Sequence, residues 1–340
     1  MKAPVLSYII PVYNGRKSID FCLDSIYSLP LQEEDFEVVV IDDCSTDDTL
    51  QVLKNYASKH TNMVVLQQEV NQRQGAARNR GIDVAKGEYI AFCDADDYIV
   101  ADGVMNALNA VSESKADICY FDFEYELPAG EWHLFRMPSE TCDAVMSSTH
   151  YLEKYYSCYY NAPWRCLYRA DFLREINIRF VEGVRWEDCD WTVKVYSKAR
   201  SIQFVKGVGY DYVYNFGSTC RQNSPDAVAE QLYAGLRLLN FSDEITHSLP
   251  HLSKTLKEEA CGRYVVGLLR FKNLKRYSLR QIVNIYKKLG QEKRIALSAF
   301  HFGNWEDFVL HHKWLTLFVM AFVLPLVRVL HLIKYNSWEL

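Results

Sequence analysis

The sequence predicts an α/β protein, with a mainly parallel sheet flanked by helices and a helical, basic C-terminal extension. Three observations lead there. Short apolar runs alternate with segments of helical periodicity, the pattern of βαβ units. The apolar runs are almost unbroken, as expected of parallel strands covered on both faces. The first, second and fourth runs each end in a polar or acidic cluster, at the strand ends where open α/β sheets bind ligands. The 340 residues, 49% hydrophobic and 14% aromatic, suffice for one large domain plus an appendage and argue against disorder.

Val5 to Ile10 reads as the first strand, and Pro11-Val12-Tyr13-Asn14-Gly15 turns the chain. Ile19, Cys22, Leu23, Ile26 and Leu29 share one side of a helix over 19–29. Phe36 to Ile41 is the second strand. It runs into Asp42-Asp43-Cys44-Ser45-Thr46-Asp47-Asp48, where Ser45 or Thr46 is expected to cap the next helix. Met63 to Gln67 is the third strand. Gln74 to Ala85 is helical and carries Arg78 and Arg80. Tyr89 to Cys93 is the fourth strand, followed at once by Asp94, Asp96 and Asp97. A helix over 102–114 leads to a strand at 117–121. Residues 126–160, with Pro128, Gly130 and Pro138, read as connection and loop. Glu187-Asp188 opens a helix through Trp191, Val195 and Tyr196. Ala227–Ile245 and Leu252–Phe271 have helical periodicity, and Leu279–Leu289 is a basic amphipathic segment.

The chemistry sits at the strand ends. No GxGxxG follows the first strand and no GxxxxGK[ST] occurs, so the dinucleotide fingerprint and the P-loop are both missing. Three carboxylates after a buried strand repel one another unless a cation sits among them. Such hard oxygen ligands suit Mg²⁺ or Mn²⁺, which share their remaining positions with waters and substrate phosphates. The alternative is a solvated acidic turn. Glu187-Asp188 likewise has two readings. One is helix-dipole stabilisation, about 0.3–1 kcal/mol each. The other is a general base beside an acceptor-binding wall of Trp164, Trp186 and Trp191, any one of which core packing explains equally well.

Charge is unevenly spread. Residues 251–340 carry a net +9 and residues 1–250 a net −14. The acidic body argues against a nucleic-acid partner, and the basic tail suits an anionic membrane surface. The last hydrophobic segment, 314–334, has an uncharged part of 14 residues, Trp314–Val327. That is short of the ~20 needed to span a bilayer, so a helix in the membrane interface is expected. Packing against the protein, or against a second copy in a homo-oligomer, is the alternative. None of the ten cysteines forms a CxxC pair. They read as reduced thiols, and no signal peptide is expected before a strand that begins near residue 5. The expected location is cytoplasmic, peripheral at the inner face of the membrane.

Four motifs now stand in register: Pro-Val-Tyr-Asn (11–14), Val-Ile-Asp-Asp-Cys-Ser-Thr-Asp (40–47), Gly-Ala-Ala-Arg-Asn-Arg-Gly-Ile (75–82) and Gly-Glu-Tyr-Ile-Ala-Phe-Cys-Asp-Ala-Asp-Asp (87–97). Together they resemble the family 2 glycosyltransferases of the GT-A fold, and Trp164–Tyr168 with Glu187-Asp188 extends the resemblance to about residue 200. It implies a glycosyltransferase domain over 1–220, with a nucleotide half to about 125 and an acceptor half from 126, then a helical region over 221–340. It implies an inverting enzyme that moves a sugar from a nucleotide-diphosphate donor, most often a UDP-sugar. The acceptor would be a hydroxyl of a glycan or lipid-linked acceptor in cell-surface polysaccharide assembly. Pro11, Tyr13 and Asn14 would flank the base, with Tyr13 stacked on it. Asp43 beside Asp42 would accept its hydrogen bond, and Arg73 or Arg78 would lie near the nucleotide. Asp94 and Ala95 would sit by the ribose. Asp96 with Asp94 would hold the metal, Asp97 being a further candidate, and Asp188 with Glu187 would supply the catalytic base. The QxxRW pattern of processive synthases is missing after Asp188, which suits transfer of a single sugar. A DxDx[TV] phosphatase is disfavoured by Tyr98. A non-catalytic sugar-nucleotide scaffold on the same fold is the remaining alternative.

Overall fold

The computed structural model describes residues 3–137, 144–156, 162–215 and 224–273. The segments at 279–289 and 314–334 lie outside the described residues. Among the described residues, no helix is long and apolar enough to cross a membrane.

Four parallel strands form the first half of the sheet: β1 (Leu6–Val12), β2 (Phe36–Asp42), β3 (Met63–Gln67) and β4 (Tyr89–Phe92). Every residue of β1, β2 and β4 is buried, which explains their almost unbroken apolar composition. The helices between them are α1 (Ile19–Tyr27), α2 (Thr49–Ala57) and α3 (Arg73–Val84). α1 buries Ile19, Cys22, Leu23 and Ile26, the spacing read from the sequence. α3 lies close on the sheet. A Cβ on Gly81 would come 2.3 Å from Ile9 Cγ2, so only glycine allows the approach.

Beyond β4 the sheet is mixed. The short β5 (Tyr98–Ile99) and α4 (Ala101–Ser114) lead to β6 (Ile118–Glu126). The stretch 126–160 is not all loop. It holds β7 (Trp132–Phe135), β8 (Val145–Ser147) and α5 (Ser148–Lys154). A 3-10 turn at Pro163–Arg165 then enters β9 (Cys166–Arg169), followed by α6 (Ala170–Ile176), α7 (Asp188–Lys198) and β10 (Ser201–Tyr212). The strand order is β3-β2-β1-β4-β9-β6-β10-β5, with β7 on β6 and β8 on β10. β9 runs antiparallel between β4 and β6. Hence β6 and β10, which pair in parallel, point the same way as β1 to β4, and all their C-terminal ends meet one rim.

Residues up to 222, with 245–255, form one compact unit. Helix α8 (Pro225–Glu244) and the later part of α9 (Pro250–Asn273) belong to a second. No disulfide joins the described cysteines. Cys22, Cys93, Cys119, Cys166 and Cys189 are buried free thiols, and Cys44 is a part-exposed one.

Candidate active site

The register places Val12, Asp42 and Gln67 side by side at the rim. Beyond Val12, Tyr13 is half exposed and Asn14 adopts a φ of +51°, a left-handed conformation that asparagine tolerates. Its amide donates to Ser45 Oγ at 2.9 Å, and its Oδ1 accepts from the Thr46 amide at 2.8 Å. Ser45 and Thr46 therefore tie two rim loops together and do not cap α2. Asp47 serves that helix, its Oδ1 accepting from the Thr49 amide at 3.0 Å.

Asp43 is a buried carboxylate held by three donors. Its Oδ1 accepts from Gln68 Nε2 (2.6 Å) and the Gln72 amide (2.7 Å), and its Oδ2 from the Arg73 amide (2.7 Å). Burial raises its pKa, and the donors oppose the rise. Asp42 is fully buried and accepts from the Ser45 amide at 3.3 Å. Pro11 is buried within β1 opposite Ile41. Asp42 and Pro11 thus shape the rim from inside, whereas Tyr13 and Asn14 face outward.

Asp94, Ala95 and Asp96 follow β4 as half-buried residues. Arg78, one of the two arginines expected near the nucleotide, is buried among carboxylates and an aromatic ring. It is 2% exposed, with Nη2 on Asp94 Oδ1 at 2.7 Å and Nη1 on Glu187 Oε1. Its Cζ lies 5.5 Å from the centre of the Phe180 ring. One guanidinium thus bridges the end of β4 and the start of α7, 109 residues apart from Arg78 to Glu187. Burial alone would favour a neutral Arg78, but Asp94, Glu187 and Asp188 together hold it charged. Glu187 is the member that yields. Burial and the neighbouring Asp188 push its carboxyl up, Arg78 pulls it down, and it rests at about 7. Asp188, the first residue of α7, is half-buried beside it. Trp186, just before the pair, has a φ of +54°, an outlier for so bulky a side chain. Cys44 and Arg73, also beside the rim, have φ of +64° and +67°.

Asp97 turns inward. It is 1% exposed, with Oδ2 accepting from Tyr210 OH at 2.6 Å and Oδ1 from the Val213 amide at 2.8 Å. Burial, then Asp96 and Asp94, raises its pKa strongly, and its two hydrogen bonds brace the loop against Tyr210 and Val213. Tyr210 also accepts from the Asp94 amide at 3.1 Å, and Asn215 Nδ2 donates to Asp96 Oδ2 at 2.8 Å. Neither residue was singled out from the sequence. The signal was the aromatic, acidic end of β10, too irregular to read as a strand.

The three tryptophans divide. Trp164 is buried, stacked 4.2 Å from Tyr210 at 9°. Trp191 is buried, stacked 4.0 Å from Phe180 at 12°, with Nε1 donating to the Ile178 carbonyl. Buried, fully packed indoles cannot line an acceptor surface, so both belong to the core beneath the site. Trp186 alone is partly exposed there.

The donor set suits a divalent ion of one kind. Among the described residues no three His, Cys, Asp or Glu side chains converge into a metal cage. Asp94 and Asp96 offer two part-exposed hard oxygen ligands. That fits Mg²⁺ or Mn²⁺ held by one or two carboxylates together with substrate phosphates and waters.

A Rossmann-like sheet with this carboxylate rim, and α7 opening onto it, is a GT-A glycosyltransferase fold. The family model described as glycosyl transferase family 2 matches residues 7–176, half of the chain, and the chain belongs to that family. The poly(ribitol-phosphate) beta-glucosyltransferase of Bacillus spizizenii is 34% identical over 212 residues, 62% of this chain and 32% of that protein. The poly(ribitol-phosphate) beta-N-acetylglucosaminyltransferase TarS of Staphylococcus aureus is 32% identical over 208 residues, 61% of this chain and 35% of that one. The matched stretch thus spans about a third of these two relatives. The crystal structure of S. aureus TarS 1–349 in complex with UDP-GlcNAc matches with a TM-score of 0.64 and 26% identity, covering 84% of this chain and 80% of that one.

Proposed function

We propose that the protein is an inverting glycosyltransferase that moves one sugar from a UDP-sugar, UDP-glucose or UDP-GlcNAc, to a hydroxyl of a cell-surface glycan or polyol-phosphate acceptor. One observation carries the reading. Buried Arg78 joins Asp94, on the donor side, to Glu187, next to the candidate base. TarS and the B. spizizenii enzyme support the donor and the acceptor class.

The roles follow from the surroundings. Tyr13 presents an exposed ring on which a base stacks. Asp43, fixed by Gln68, Gln72 and Arg73, presents a rigid acceptor to the base edge. Asp94 and Asp96 would hold a divalent ion against the diphosphate, and such an ion supplies charge neutralisation for the departing nucleotide. Asp188 takes the proton of the attacking hydroxyl. Arg78 keeps Asp94 and Glu187 in place and leaves Asp188 to do that work. Inversion needs one base on the face opposite the leaving group, and no covalent nucleophile.

The test is UDP release from UDP-GlcNAc and UDP-glucose with poly(ribitol-phosphate) as acceptor. Asp188→Asn should lower kcat by about 10²–10⁴-fold and leave UDP binding within about twofold of wild type. Full turnover in Asp188→Asn would remove Asp188 as the base. A wild-type chain that binds UDP but turns over neither donor would favour the non-catalytic scaffold.

A further inference from the structure

We propose that Asn79 is a positioning residue that sets the place of the Glu187-Asp188 pair, a role that rests on the reading of Asp188 as the base. Gly75, Arg78 and Asn79 lie on one face of α3, at i, i+3 and i+4, and that face meets the segment 178–187. Asn79 is buried, and its carboxamide pairs with both backbone groups of Phe180. Oδ1 accepts from the Phe180 amide and Nδ2 donates to the Phe180 carbonyl, both at 2.9 Å. Nδ2 also donates to Glu182 Oε1 at 2.9 Å. One side chain acting as donor and acceptor to a single residue suits a carboxamide, because a carboxylate cannot donate and an aliphatic group can do neither.

The segment is stapled to α3 at several further points. The Gly183 amide donates to the Gln72 carbonyl at 3.1 Å. Arg179 donates to the Asn79 carbonyl at 3.0 Å and to both Asp83 oxygens. A Cβ on Gly75 would come 2.4 Å from the Val181 carbonyl oxygen and 3.3 Å from Glu187 Cβ. Fixing Phe180 has a direct result at the site, because its ring lies between the Arg78 guanidinium and Trp191 of α7. Asn79 thereby locates the floor under Arg78 and the first turn of the helix that begins with Asp188.

The consequence is a separation of rate from binding. Among the described residues, the Asn79 side chain bonds to Phe180 and Glu182, away from Tyr13 and Asp43 on the nucleotide side. A shift of the base by ~1 Å lowers rate by about 10²-fold without changing donor affinity. The readout is UDP release in donor hydrolysis, with water as acceptor, using UDP-GlcNAc and UDP-glucose, alongside calorimetry with UDP. Asn79→Asp should lower kcat by about 10–100-fold, with KM for donor and Kd for UDP within about twofold of wild type. Glu182→Gln alone should be neutral. Combined with Asn79→Asp it replaces the repelling carboxylate at 182 by an amide that donates to the new carboxylate at 79, so the double variant should regain at least about threefold of the lost kcat. The proposal is overturned by an unchanged kcat, by kcat and UDP affinity falling together, or by a double variant no faster than the single one. Should Asn79→Asp fail to fold, Asn79→Ser carries the same kcat-against-KM comparison, read against the first two outcomes. Asp188→Asn run in parallel separates the two ideas. An active Asp188→Asn refutes the base, whereas an inactive one beside a fully active Asn79→Asp refutes only the positioning.

Discussion

Replacing Arg78 by methionine keeps most of its bulk and removes its charge. Arg78 and Glu187 are 2% and 3% exposed, so Glu187 would be left as a buried carboxylate with no counter-charge. Removing one partner of such a pair costs about 3–5 kcal/mol. In a domain of this size that corresponds to a fall in Tm of roughly 6–20 °C. The sign of the pH dependence follows from Glu187. Its carboxyl is raised from 4.5 to about 7, so the folded chain holds that proton more tightly than the unfolded one. The stability linked to it is fully present below about pH 4.5 and is lost as pH rises through about 7. Without Arg78 the folded carboxyl rises further. Arg78→Met should therefore lose little at pH 5.5, where Glu187 is protonated in both proteins, and the full amount at pH 8.5. Urea unfolding at those two pH values measures this. Adding Glu187→Gln removes the stranded charge and should recover at least half of the loss at pH 8.5. A loss below about 1 kcal/mol, or one that is equal at both pH values, would refute the claim that this guanidinium holds the two carboxylate clusters together.

Asp43→Ala strips an acceptor from Gln68, Gln72 and Arg73 and a partner from the base, so UDP affinity by calorimetry should fall about 10–150-fold, the worth of one charged hydrogen bond. Trp191→Ala should cost about 3–5 kcal/mol in urea unfolding; a normal stability with a raised KM for acceptor would return Trp191 to the acceptor wall. UDP at about 100 times its Kd should add roughly 2.7 kcal/mol of stability with Mn²⁺ or Mg²⁺. EDTA should remove most of that gain, and Asp96→Asn should make the thermal shift insensitive to EDTA.

Where the sequence spoke clearly, one local rule decided the outcome. Strands β1, β2 and β4 are buried on both faces, so their composition is almost wholly apolar, with Ser7 of β1 donating to Glu37 of β2, and their ends are sharp. Tyr13, Asp43 and Asp94 stand at the rim where expected because each lies one or two residues past such an end. β10 was not legible. Lys206, Gly207 and Gly209 interrupt it, its register with β6 shifts twice between Phe204 and Tyr210, and Gly209 packs on the Phe121 ring. Tyr210 and Asn215 were missed along with it. The fates of Arg78, Trp164 and Trp191 depended on partners outside their own turn or strand, up to 109 residues away for Arg78, and no local pattern distinguishes a buried ion pair or a packed indole from an exposed one. Ser45 and Thr46 show the same limit. Their cap-like chemistry is real, but a tertiary partner, Asn14, takes it up.

The placing of β9 has a consequence of another kind. Tyr168 lies opposite Ile90 on one side and Ile118 on the other, so a strand from the second part of the chain completes the ladder of the first. A chain interrupted near residue 125 would leave an empty lane between β4 and β6, bordered on both sides by bare amides and carbonyls. The segment carrying Asp188 would be separated from α3, the helix that anchors it. The rim clusters at Asp94 and Asp188 are thus interwoven within one hydrogen-bonded fabric. Opening the sheet along its middle would therefore break both of the ladders that β9 makes.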